Sequence, residues 1–157
     1  MRSNNLKAFL IHIFVNVISV FLYYMLAINV GVAEWVSEAA YNAHVDKMVM
    51  IGLVIVLMAF ALYYIGGRVF LRDQGWLWKN ILSVSSVFII GFIWWLMILP
   101  LSNLEVFSKA NVWQTFSIYT SYMLTLIDYL EADIPILLLL CLMLSTLFME
   151  LGIKKKG

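Results

Sequence analysis

Apolar residues in this chain come in long runs rather than in alternation. Four stretches, 8–30, 48–66, 81–99 and 134–151, are almost free of charge. Each is close to the roughly 20 residues an α-helix needs to cross the hydrocarbon core of a bilayer. No water is available there to bond exposed backbone, so such a run has to be helical. The pattern predicts an all-α integral membrane protein, a four-transmembrane-helix bundle forming a single membrane domain over 1–157.

A fifth segment, 112–130, is patterned differently. Val112, Phe116, Tyr119, Met123, Leu126 and Leu130 share one helical face, and Gln114, Ser117, Ser121, Thr125 and Asp128 fall on another. This predicts an amphipathic helix on the outer face, lying at the interface or packed over the bundle, in preference to a re-entrant or fifth spanning segment. A fifth span would put the closing Lys154, Lys155 and Lys156 on the wrong side for their charge. Asp133 and Pro135 suit the start of the fourth span, as cap and first-turn residue.

Composition sharpens this picture. Hydrophobic residues make up 64% of the chain and charged residues 12%, about half the charged share of a soluble domain. Four spans then leave little length for a separate soluble domain. The net charge of +1, with no basic cluster interleaved with aromatics, argues against a nucleic-acid partner. A single cysteine, Cys141, allows neither an internal disulfide nor Cys-x-x-Cys redox chemistry.

The placement of charge says more than its total. Arg2, Lys7, Arg68, Arg72, Lys79, Lys154, Lys155 and Lys156 all fall on one side of a four-span chain, against Lys47 and Lys109 on the other. Basic residues flanking spans resist translocation, so both termini are expected in the cytoplasm, with the plasma (cytoplasmic) membrane as the location. Glu34, Glu38, Asp46, Glu105, Asp128, Glu131 and Asp133 then lie outside, and Asp73 and Glu150 inside. Arg2 and Lys7 precede a run longer than a signal-peptide core, which reads as an uncleaved span.

The connectors carry their own signals. Trp35, Tyr41 and His44 among acids predict a short interfacial helix within 31–47. Asp73-Gln74-Gly75 is a turn signal, with Trp76 and Trp78 as belt anchors. Gly52, Ala59, Cys141 and Ser145 permit close helix approach, and Gly66-Gly67 is expected to loosen the exit of the second span.

Polar groups inside spans are costly and are therefore the best functional pointers. His12, Asn16, Ser19 and Tyr23 share a face of the first span; Asn80, Ser83 and Ser86 share one of the third; Cys141, Ser145 and Thr146 lead to Glu150 on the fourth. Converging, these faces make a candidate polar pocket of His12, Asn16, Ser19, Ser83, Ser86, Ser145 and Glu150, open to the cytoplasm. The plainer reading is interhelical hydrogen bonding, and for Glu150 an ion pair with Lys154, Arg68 or Arg72. Outside, Glu34, Trp35, Glu38, His44, Trp113, Gln114 and Asp128 form a candidate interaction surface. His44 and Asp46 with Glu34 or Glu38 could make a weak cation site, though such acidic loops are usually just solvated.

No His-Glu-x-x-His, Gly-x-Ser-x-Gly or Walker loop occurs. The expectation is a non-enzymatic protein with no cofactor, an accessory, interaction or immunity-type factor binding a membrane protein, a peptide or lipid. The competing reading is a small transporter or channel protomer that lines its path as a homo-oligomer. The two differ in whether the polar faces surround a hydrated cavity or close on one another.

Overall fold

The first helix buries Asn4, His12, Asn16 and Ser19. The computed structural model describes residues 2–28, 37–101, 115–129 and 134–154. Helix α1 is Arg2–Ile28, α2 is Glu38–Phe70, α3 is Leu77–Leu101, a short α4 is Leu124–Tyr129 and α5 is Ile134–Gly152. Helices α1, α2, α3 and α5 are each long and apolar enough to cross a membrane. This is an all-helical membrane protein, with no strand among the described residues.

Packing follows the logic of a lipid solvent. On α1, Leu10, Phe14, Val17 and Phe21 point outward, while Ala8, Ile11 and Val15 are buried together with His12, Asn16 and Ser19. The polar stripe of α1 therefore faces the bundle. Helices α1 and α5 each pack against both α2 and α3, which gives a four-sided ring. Asn4 and Lys7 of α1 bond the Arg72 and Phe70 carbonyls beyond and at the end of α2. Glu150 and Gly152 of α5 lie at that same end, with Gly152 on the Tyr64 carbonyl. The described basic flanks therefore gather at the end that holds Arg2 and Lys154.

Two connectors depart from expectation. The short helix expected within 31–47 is not separate: from Glu38 onward it is the first turns of α2. Ser37 caps it, its side chain accepting from the Ala40 N–H at 3.2 Å. No Pro or Gly follows before Gly52, so nothing stops the helix. Its 33 residues make it about 50 Å long, more than a bilayer core requires. Between α2 and α3 the expected turn forms. Gly75 sits at φ +84°, its N–H bonds Asp73 Oδ1, and Asn80 ties the turn to α3 through Asp73 and Gln74.

The Gly66-Gly67 pair does not loosen α2. Both glycines are buried inside the helix. Gly67 lies directly on the Met149 carbonyl of α5, as Gly152 does on the Tyr64 carbonyl. The two backbones touch because neither glycine carries a Cβ.

The segment expected as one outer amphipathic helix over 112–130 is the largest departure. Of it, 115–129 is described, and it is broken: 115–117 are helical, a turn follows, then a 3-10 turn Ser121–Met123, then α4. Its polar residues Ser117, Thr120, Ser121 and Thr125 are buried, as are Phe116, Tyr122 and Met123. Phe116 packs edge-on to Trp94, and Tyr119 reaches the Val87 carbonyl, ten residues into α3. Leu126 covers Gly52, and Tyr129 ends beside His44 near the start of α2. The segment thus descends to the middle of the bundle and returns to the end away from Arg2 and Lys154. Its exposed polar residues, Thr115 and Asp128, stand at its two described ends.

Candidate functional site

Breaking a helix in mid-bundle frees backbone groups that lipid cannot satisfy. Asn16, fourteen residues into α1, supplies the replacement. Its Nδ2 donates to the Tyr119 carbonyl at 2.9 Å, and its Oδ1 accepts from the Ser121 N–H at 2.9 Å and the Ser121 hydroxyl at 3.1 Å. Thr120 hydroxyl and N–H both return to the Phe116 carbonyl. These bonds take the place of helical ones at the turn.

One helical turn from Asn16 stands His12, 1% exposed. Its Nδ1 is 2.7 Å from the Tyr63 hydroxyl of α2. Its ring lies 4.3 Å from that of Tyr119, centroid to centroid. Tyr63 in turn meets Tyr122 edge-on at 5.9 Å. Tyr119 donates to the Val87 carbonyl of α3 at 2.7 Å, and Tyr122 to the Cys141 carbonyl of α5 at 3.4 Å. One imidazole and three phenols therefore bind all four long helices to the central segment.

His12 Nε2 is buried without a hydrogen-bond partner among the described residues. The Tyr119 carbonyl, which accepts from Asn16 and has a second lone pair, is also within reach of the His12 ring. His12 and Asn16 also form the floor of a groove of about 350 Å³ between α1 and residues 118–121. Its walls are Phe9, Ile13, Val17, Val20 and Ile118. Ile13, Val17 and Ile118 are exposed on the outside of the bundle, so the groove opens toward the lipid.

The other expected pocket residues do not join His12 and Asn16. Ser19 bonds the Val15 carbonyl of its own helix. Ser83 accepts from Asn4 at 3.2 Å and donates to Asn80. Ser86 receives both its N–H and hydroxyl partners from Asn5. Ser145 donates to the Leu142 carbonyl and stands beside the Tyr122 hydroxyl. The polar faces are thus used up in separate helix-to-helix bonds or in bonds to their own helix, and they are not brought together into one pocket among the described residues.

Glu150 also departs from expectation. It is 5% exposed and its Oε1 has no hydrogen-bond partner among the described residues. The expected ion pair with Lys154, Arg68 or Arg72 is not formed there. Glu150 instead lines a second groove, about 200 Å³, with Ile81, Ser85, Phe88 and Thr146. Helix α5 turns that carboxylate toward α3, whereas Lys154 lies beyond the helix end and is exposed.

Of the outer surface, Glu38 and Asp128 are exposed and His44 is half-buried, 3.5 Å from the Tyr129 hydroxyl. Glu34, Trp35, Trp113 and Gln114 lie outside the described residues, as does the Asp133 cap. Among the described residues no three metal-ligating side chains gather, so His44, Asp46 and Glu38 make no cation site.

Sequence reasoning missed Asn4, Asn5 and the three phenols. Asn4 was findable: Asn4, Ala8, His12 and Asn16 recur every four residues on one ridge of α1. The phenols were not, because a tyrosine in an apolar run reads as core or belt until its hydroxyl has a partner. No protein-family model, curated protein or solved structure matches this chain.

Proposed function

We propose that this protein is a non-enzymatic accessory, interaction or immunity-type factor of the plasma (cytoplasmic) membrane, with both termini in the cytoplasm. The observation that supports this over a transport role is the use of the span polar groups. Asn4, Asn5, His12, Asn16, Ser83 and Ser86 bond across helices, and buried side chains of 116–127 fill the space between them. A conduction path needs such groups to face water. The far end of the bundle, with Glu38, His44 and Asp128, is the face offered to a membrane protein or peptide.

Three experiments test this reading. Reporter fusions after Gly75, Ala110 and Gly157 should report cytoplasm, exterior and cytoplasm in that order; an exterior Gly157 overturns the orientation. Co-purification of the full chain from its own membranes should recover a partner that Glu38→Lys with Asp128→Lys releases. Saturable solute flux in liposomes containing the chain alone overturns the accessory reading.

A further inference from the structure

Glu150 is the one buried carboxylate among the described residues. Its Oε1 is sealed off; Oε2 is not, and neither oxygen accepts a hydrogen bond among the described residues. The carboxylate lines the groove of about 200 Å³ between α3 and α5. An unanswered charge held there is costly unless a cation joins it.

The other polar groups of the groove are Ser85 and Thr146. The Ser85 hydroxyl donates to the Leu82 carbonyl at 2.9 Å, and the Thr146 hydroxyl to the Leu142 carbonyl at 3.3 Å. Each spends its single proton on its own helix and keeps lone pairs. The lining side chains therefore offer acceptors only, with no Lys or Arg among them. The complement is a cation that brings its own donors, and a primary ammonium brings three. A phosphate-bearing head would meet the carboxylate with like charge.

Shape narrows the class further. Helices α3 and α5 run antiparallel, since Trp95 bonds the Pro135 carbonyl and Gly91 faces Leu142. Ile81 is then level with Glu150, and Phe88 with Met143. The groove follows the helices over seven residues, about 10 Å, or roughly a third of the hydrocarbon thickness of a bilayer. Its carboxylate end lies near the end of α5, and its deeper end, at Phe88 and Met143, is apolar. Ile81 and Met143 are exposed on the outside of the bundle, so entry is from the lipid. A lysine on a neighbouring span would reach Glu150 from the side and leave the apolar length empty.

We infer that this groove binds a single-chain amphiphile with a primary ammonium head. The head donates to Glu150 and to the Ser85 and Thr146 oxygens, and the chain lies toward Phe88 and Met143. The site is at the opposite end of the bundle from Glu38 and Asp128, so this proposal and the docking face can fail separately.

The test uses the full-length chain in phosphocholine nanodiscs with three photoreactive probes of equal chain length and equal membrane content: a primary amine, a trimethylammonium and an alcohol. The amine should label peptides from 81–88 and 143–150 at least about tenfold more than the alcohol, the margin one charge-assisted hydrogen bond gives. It should also exceed the trimethylammonium, which has no N–H. Glu150→Gln should bring the amine down to the alcohol level and leave the alcohol signal unchanged. Ile81→Trp fills the head end of the groove from its exposed rim without touching the three acceptors, and should abolish the amine's advantage even if Glu150→Gln does not fold. Equal labelling by amine and alcohol in the wild type overturns the proposal; a carbodiimide cross-link from Glu150 to a lysine of another chain would then give the groove to a partner's span. Trimethylammonium labelling as strong as the amine's, or an amine preference that survives Ile81→Trp, overturns it as well.

Discussion

Asn16 does for Ser121 what the next turn of a helix would otherwise do: its amide oxygen takes both the N–H and the hydroxyl of Ser121 in the middle of the bundle. This single contact lets the chain reverse where lipid and side chains offer no water. It also joins α1 to the central segment across 105 residues of sequence.

Asn16→Ala should therefore destabilise the protein beyond the roughly 0.6 kcal/mol typical of one interhelical bond in a membrane. It strands a buried carbonyl and a buried N–H, each worth about 1–3 kcal/mol when unsatisfied. Unfolding in a denaturing detergent titration measures the loss. A variant within about 0.5 kcal/mol of wild type would show that the turn is satisfied by other means.

The burial of the central segment is open to chemical labelling. In a Cys141→Ser background, cysteines replacing Ser117 and Asp128 should behave oppositely. The first is buried and the second exposed. A membrane-impermeant maleimide should modify position 128 and leave 117 unmodified. Equal reaction at both would return the segment to the outer interface.

Gly67→Ala and Gly75→Ala separate packing from backbone strain. A Cβ on Gly67 meets the Met149 backbone, which cannot rotate aside. Overpacking of this kind costs about 1–3 kcal/mol or more. At Gly75 the space is open and only the positive φ resists substitution, about 1–2 kcal/mol. Melting of the two purified variants should rank Gly67→Ala as the less stable. The reverse order would mean that α2 and α5 separate readily at their glycines.

Glu150→Gln should be tolerated or stabilising. Its Oε1 is buried with no partner among the described residues, so removing the charge strands no cation there. Breaking a true buried pair would instead cost about 3–5 kcal/mol. Thermal stability compared at one pH decides between the two. A loss of that size would place an unseen cation on Glu150.

The four spanning helices, their order and the gathering of basic flanks at one end were all legible in the sequence. The reason is that a bilayer imposes a local rule. Each span must satisfy its own backbone and present apolar side chains over a fixed length, so composition within about 20 residues is decisive. The inward face of α1 was legible for the same reason, since His12, Asn16 and Ser19 repeat at helical spacing. What the polar residues of 115–129 meet was not. Their amphipathic pattern is equally compatible with water outside the membrane and with polar partners inside it. The choice was made by Asn16, Val87 and Cys141, which are far away in sequence. Glu150 shows the same limit in reverse: its spacing to Lys154 suggested a local pair, but packing against α3 turned the carboxylate the other way. Local periodicity names the face of a helix, and only the tertiary structure decides what that face bonds to.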